Sequence, residues 1–410
     1  ESVAFGSNAL SAAVGSDKNT ALGAYALRND TEGEQSVAVG HQALNAQNFT
    51  TATSAYNVAV GANAGVSVTT GVNNTLLGAL AGDALTTGSN NHAIGRDALG
   101  ADTVGSQSIA IGRLSLGSQN FTTATDVYNV AIGSQAGFAI TTGIQNTLVG
   151  GLAGDALTDA DFNVAVGFMA LSADTLGSRS VALGYKALIT QNFTTATAAY
   201  NVAIGFETGK GITTGPRNTL IGGLAGAAIT TGVDNVALGY AALSSDDLGN
   251  YNVAVGSQAL TSLNYATGTD AYNVAVGRDA GANVTTGVQN VLIGGLAGDA
   301  LTDADFNIAL GYASLTSDTL GSRSTALGWA TLNSQNFTTA TDAYNVAVGF
   351  HSGLGLTTAQ SSTFVGSFTG GAAVTGNANT LLGYASGYNT VSITSGFNNT
   401  LVGANTHTSI

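Results

Sequence analysis

Hydrophobic and polar positions alternate along this chain in one recurring pentamer. It runs Asn or Ser, a small or β-branched residue, an apolar residue, a large apolar residue, then Gly. The glycines stand at Gly6, Gly23, Gly40, Gly61, Gly78 and onward to Gly403, spaced 17, 17, 17 and 21 residues in a cycle that closes with a step of 20. That makes 23 copies. Four copies fill 72 residues, so YNVAVGANAG at Tyr56 returns in near-copy at Tyr128, Tyr200, Tyr272 and Tyr344. So strict a period is the mark of one small unit stacked many times. Residues 1–410 read as a single continuous repeat rod. It begins with a partial block 1–55, continues through blocks 56–127, 128–199, 200–271 and 272–343, and closes with a divergent block 344–410.

Each pentamer predicts a short strand entering a corner, with successive side chains on opposite faces. The fourth position is always large and apolar, from Phe5 and Leu22 to Val402. It is predicted to line the coil interior, together with the second position, which is mainly Val, Ile or Thr, with His92 the odd member. The third position then points outward. It is never polar: Ala in most copies, Leu at 76, 148, 220, 292, 381 and 401, and Phe at 364. A strand apolar on both faces is expected to be covered on both. Ala59, Leu76, Ala131, Leu148, Ala203, Leu220, Ala275, Leu292 and Phe364 are therefore predicted to meet a second subunit.

The first position is Asn in 17 copies and Ser in six, which predicts a ladder of side chains bonded to each other and to nearby backbone. The invariant fifth-position Gly predicts a corner of positive φ or close backbone approach. Segments such as Ala64-Gly65, followed by Thr69-Thr70-Gly71, predict a second strand and turn per coil. The expected fold is all-β, a flattened parallel β-roll or β-solenoid of about 23 coils, on the order of 110 Å long at ~4.8 Å per strand. Every fourth coil carries four extra residues, in QNFTTAT from Gln47, Gln119, Gln191 and Gln335 and in LNYATGT from Leu263. These are expected to project as a row of loops, and loops are where contacts with partners concentrate.

The pentamers Ser36–Gly40 (SVAVG), Asn57–Gly61 (NVAVG) and Ser108–Gly112 (SIAIG) resemble the head repeats of YadA-type trimeric autotransporter adhesins. The longer phrases Asn146–Asp155 (NTLVGGLAGD) and Asn218–Gly222 (NTLIG) are more similar to repeats in tail-fibre proteins of marine and cyanobacterial phages. The resemblance covers the whole chain. It implies a left-handed β-roll, three copies packed side by side, and a location outside the cell or on a virion surface. No adhesin stalk, membrane barrel or chaperone domain is legible, so any anchor or tip is expected outside this sequence.

Composition narrows the function classes. Only 8% of residues are charged, and thin coils have little interior of their own, so apolar surface is expected to be hidden against other chains. A formal charge of −14 with ten Lys and Arg argues against nucleic acid as a partner. With no cysteine, neither disulfides nor a thiolate metal site is expected. No apolar run approaches the roughly 20 residues that span a bilayer, so this segment is not expected to insert in a membrane.

Chemistry-bearing constellations are sparse. His41, His92, His351 and His407 occupy unrelated places, and no catalytic triad, metal site or cofactor site is apparent. Asp155, Asp159 and Asp161, matched by Asp299, Asp303 and Asp305, read as turn carboxylates rather than calcium ligands. The stretch from Gly205 to Lys210 has the wrong spacing for a phosphate loop. Aromatics follow the corner Gly at Phe168, Tyr185, Phe206, Tyr240, Tyr312, Trp329, Phe350 and Tyr384. They suit either stacking between coils or contact with cell-surface sugars. Phe121, Phe193 and Phe337 of the inserted loops, with Tyr185, Tyr240, Tyr312 and Trp329, are the candidate contacts for a glycan or protein receptor. The expectation is a non-enzymatic homotrimeric shaft, most readily of a phage tail fibre that positions a receptor-binding tip. The alternatives are a bacterial adhesin head binding host or matrix, and a subunit of a self-assembling extracellular filament.

Overall fold

The computed structural model describes residues 1–371, 374–388 and 395–406. The chain is an all-β parallel solenoid of about 23 turns, in two compact units, Glu1–Asn201 and Val202–Ile410. In the first, eleven three-residue strands run from Val3–Phe5 to Val181–Leu183. In the second, twelve run from Val202–Ile204 to Thr400–Val402. Within each unit the next strand pairs in parallel, residue for residue: Val58, Ala59 and Val60 face Thr75, Leu76 and Leu77, and Val274, Ala275 and Val276 face Val291, Leu292 and Ile293. Among the described residues no helix is long and apolar enough to cross a membrane.

The strand faces are the reverse of the expectation. The third position points into the coil, and the second and fourth point out. In every strand but the first the middle residue is buried and its two neighbours are partly or largely exposed. Ala59, Leu76, Ala131, Leu148, Ala203, Leu220, Ala275, Leu292 and Phe364 are all fully buried within the single chain, so they are core and present nothing to another subunit. Val60, Ile132, Leu238 and Leu310 instead keep 38–41% of their surface exposed. The reason is width. The far side of each coil is already filled by side chains such as Leu27, Leu44, Leu99 and Leu116, all fully buried, and most coils have room opposite for only a methyl group.

Larger inward residues occur where the far side is glycine. A Cβ on Gly65 would lie 2.6 Å from Leu76 Cδ1, and one on Gly82 would lie 2.8 Å from Leu76 Cδ2. Phe364, the largest fully buried side chain, sits beside Gly370, where an added Cβ would fall 2.9 Å from its ring. Leu and Phe at the third position are thus half of a size exchange across the coil.

The polar ladder forms as expected. The Asn74 amide donates to Asn57 Oδ1 at 2.9 Å, the Asn91 amide to Asn74 Oδ1 at 3.0 Å, and Asn57 Nδ2 to the Gly71 carbonyl at 2.7 Å. These side chains are fully buried, and bonding on both sides offsets their desolvation. The corner glycine also meets expectation: Gly61 has φ +141° and an added Cβ would be 2.4 Å from the Gly78 carbonyl oxygen.

Among the described residues, the second strand expected in each coil is absent from the 17-residue coils except the one that precedes each insertion. That side is a run of turns with left-handed residues such as Asn63 (φ 58°) and Leu80 (φ 60°). Its amides still bond along the stack, Leu80 N to Ala62 O at 3.0 Å and Gly65 N to Ala81 O at 2.9 Å. Among the described residues, second strands appear only in the lengthened coils and the coil before each, as in Gly105–Ser106 with Thr125–Asp126 and Gly249–Asn250 with Thr269–Asp270.

Candidate functional site

The five insertions are anchored from below. Gln119 is fully buried; its Nε2 donates to Asp102 Oδ2 at 2.7 Å and Ser108 Oγ at 3.0 Å, and its Oε1 accepts from Asn129 Nδ2 at 2.9 Å. Asp102 Oδ1 accepts from the Gly105 and Phe121 amides. The same set recurs with Gln47, Gln191 and Gln335 on Asp30, Asp174 and Asp318. Burial raises the carboxyl pKa at Asp30, Asp102 and Asp174 even though these donors pull it down. Phe121, Phe193 and Phe337, expected as surface contacts, are only 5–6% exposed. Their backbone amides are held by the buried Asp, and the rings plug the coil beneath the loop. What projects is the polar tip, residues 122–124 in the second copy.

The fourth copy differs. Leu263 replaces the Gln, Tyr265 the Phe and Asn252 the Ser. Tyr265 OH donates to the Gly287 carbonyl at 2.7 Å and accepts from Asn273 Nδ2 at 3.0 Å, while Asn252 Nδ2 reaches Asp246 Oδ2 at 3.3 Å. With no Gln donor, burial drives the Asp246 carboxyl up to about 6.

The aromatics after the corner glycines are where the sequence places them, at the surface. Tyr185, Tyr240, Tyr312 and Trp329 are 40–58% exposed. They stack along each unit, Phe168 on Tyr185 at 5.9 Å and 16°, and Tyr312 on Trp329 at 6.1 Å and 18°. Rings spaced this way spend their faces on each other and present edges to solvent. A second outward row precedes the Asn ladder. In it Arg179 lies over Phe162 and Tyr200, and Arg323 over Phe306 and Tyr344.

In the second unit the aromatic row thickens and breaks. His351 stacks on Trp329 and Phe350 at 4.6 and 4.3 Å, within 9° of parallel, and its Nε2 is buried without a partner among the described residues. Burial lowers its pKa. At Phe368 the rings turn edge-on, 71° to Phe350, 84° to Tyr384 and 85° to Tyr388. There a cavity of about 260 Å³ opens, lined by Phe368, Tyr384, Ala385, Tyr388 and Asn405.

No family model matches this chain. No curated protein does either. The site is therefore read from its own residues.

Among the described residues no group of three His, Cys, Asp or Glu is placed to hold a metal. Five of the six Asp positions weighed as calcium ligands bond the neighbouring coil, as in Thr142 Oγ1 to Asp159 Oδ1 at 2.7 Å and the Ile144 and Val288 amides to Asp161 and Asp305 at 2.8 Å, while Asp155 Oδ1 is buried with no partner among the described residues. His41, His92 and His351 do not come together as a catalytic set, His92 points outward from its strand, and His407 lies outside the described residues. Sequence reasoning passed over Phe368, Tyr388 and Asn405. Phe368 and Asn405 stand two places after the corner glycine rather than one, on a row that is mixed in character elsewhere. A count along that row, His351, Phe368, Ala385, Asn405, is the signal that would have found them.

Proposed function

We propose that this chain is the non-enzymatic structural shaft of a homotrimeric fibre, a phage tail fibre that holds a host-receptor-binding tip away from its base. The observation that carries the reading is the outer face of the main sheet. In each unit the fourth position forms an apolar row and the second a row mainly of Val, Ile and Thr, both covered only in part by the chain itself, as at Val60 and Ile132 in the first unit and Leu238, Ile308, Leu310, Val346 and Val348 in the second. Burial of such surface is favourable by about 25 cal/mol per Å², and contiguous exposed apolar surface marks an interaction face. The identical repeat makes another copy of the same chain the natural cover, because in-register coils bring like rows together. Three as the number of copies, and the phage setting, rest on the resemblance of the repeats. The role is mechanical: laterally packed solenoids with continuous backbone ladders resist bending and proteolysis.

The test is mass in solution. Light scattering is expected to give about three times the 40.4 kDa of one chain. Ile132→Asp combined with Leu310→Asp is expected to reduce it to one chain with the β-sheet circular dichroism retained. Ala131→Asp, on the inward face, is expected to unfold its coil rather than release a folded monomer. A parent protein that is monomeric at micromolar concentration refutes the assembly. Electron microscopy with an antibody to the loop tip tests the owner. Label on virion tails supports the fibre, and label on a cell envelope replaces it with the adhesin reading, which the exposed aromatic cluster of the second unit favours.

A further inference from the structure

We propose that the cavity between Phe368, Tyr384, Tyr388 and Asn405 binds a single neutral pyranose, the terminal or branch sugar of a glycan. The site is built by three consecutive coils. Their register is fixed by backbone bonds from Phe368 N to Phe350 O, Ala385 N to Ser367 O and Asn405 N to Tyr384 O at 2.8–2.9 Å. Phe368, Ala385 and Asn405 hold the same position on successive coils, so the small Ala385, only 9% exposed, is a floor between a ring on one side and an amide on the other. Tyr384 and Tyr388 rise from the middle coil as the remaining walls, 57% and 37% exposed.

Three features select the ligand. The first is ring orientation. Upstream, Trp329, Phe350 and His351 lie within 12° of parallel and cover one another's faces. At Phe368 the stack turns perpendicular, and aromatic surface that the row otherwise consumes is left facing the gap. The second is size. About 260 Å³ lies just under the ~300–1,000 Å³ of sites that hold drug-sized ligands, so one ring-sized molecule fits and a chain does not. The third is polarity. The walls carry two phenol hydroxyls and one carboxamide, none bonded to another described residue, and among the described residues no charged side chain lines the cavity. A pyranose offers the matching surface, an apolar C–H face for the rings and hydroxyls at its edge for the amide and phenols. A nucleotide would match the stacking but bring phosphate to a chain of net charge −14. All five lining residues belong to one chain.

The full 410-residue chain carries its own reporter, since its one tryptophan, Trp329, stacks on Phe350 and His351, and both of these touch the Phe368 ring. Methyl glycosides of glucose, galactose, mannose and N-acetylglucosamine would be titrated to ~50 mM, followed by saturation-transfer NMR and Trp329 emission. At least one is expected to saturate in the millimolar range. Ala385→Leu, which fills the cavity, is expected to abolish that binding. Asn405→Gly, which suits the left-handed backbone there (φ 52°), is expected to weaken it at least threefold. Tyr56→Ala, an exposed ring of the first unit outside the cavity, is expected to leave it unchanged. Circular dichroism checks that each variant is folded; if Ala385→Leu is not, Asn405→Gly and Tyr388→Phe decide, each by a loss of threefold or more. The proposal is overturned if no glycoside saturates, if the folded cavity variants bind as the parent does, or if indole saturates the site while every glycoside fails.

Discussion

Gln119→Leu is the most informative single change, because the chain already contains a copy with leucine at that position. The substitution removes the 2.7 Å bond to the buried Asp102 carboxylate, the bond to Ser108 Oγ, and the acceptor of Asn129 Nδ2, although that nitrogen keeps the Gly143 carbonyl at 2.8 Å. A hydrogen bond to a charged group contributes about 1.5–3 kcal/mol, and an acceptor left buried and unpaired costs about 1–3 kcal/mol. The added apolar burial of Leu returns about 1 kcal/mol. The net is a local destabilisation of ~2–4 kcal/mol, so amides across residues 102–129 should exchange with solvent about 30- to 1,000-fold faster at tenfold per 1.4 kcal/mol. The fourth copy supplies the remedy. Adding Ser108→Asn and Phe121→Tyr recreates the partners seen at Asn252 and Tyr265, and the triple variant is expected to return to within about tenfold of the parent. Hydrogen–deuterium exchange mass spectrometry reads both. Unchanged exchange in the single variant, or a triple variant no slower than the single, would refute the assignment of the insertion's stability to this network.

Asp246 makes the fourth insertion pH-sensitive. Its folded pKa is raised from the ordinary 3.8 to about 6, so the stabilisation of the protonated form is complete below about pH 4 and is lost as pH rises through about 6. At 1.36 kcal/mol per unit this is ~3 kcal/mol. Exchange around Tyr265, corrected for its intrinsic pH dependence, should be slower at pH 4.5 than at pH 7.5, and Asp246→Asn should flatten the difference. Gly277→Ala should open its coil by more than the ~1–3 kcal/mol of backbone strain alone, because φ is +139° and the added Cβ would meet the Gly294 carbonyl carbon at 2.5 Å. Gly268→Ala, with nothing within 4 Å, should shift the melting temperature by less than a degree or two. Phe364→Ala should cost about 3–5 kcal/mol, measured as loss of exchange protection in its own and adjacent coils, since the glycines beside it leave no side chain to fill the space.

The sequence by itself determined the solenoid, its coil lengths, its parallel in-register pairing, the buried Asn ladder and the glycine corners. Each of these follows from a residue type recurring at a fixed step, and the step is a property of the chain alone. Which face of the strand is the core was decided only by the tertiary structure. Alternation assigns Val60 and Ala59 to opposite sides but does not say which side is inside, and both are apolar. The choice is made by the volume left opposite, set by Leu44 and Gly65 on other segments of the stack. The insertions show the same division. Their period is visible in QNFTTAT, but Phe121 reads as an exposed loop ring until Asp102, 19 residues earlier, is seen holding its backbone amide. The cavity at Ala385 lies furthest from sequence legibility. It exists because three coils in register place a small residue between Phe368 and Asn405, and a neighbour of that kind is defined by stacking, not by adjacency along the chain.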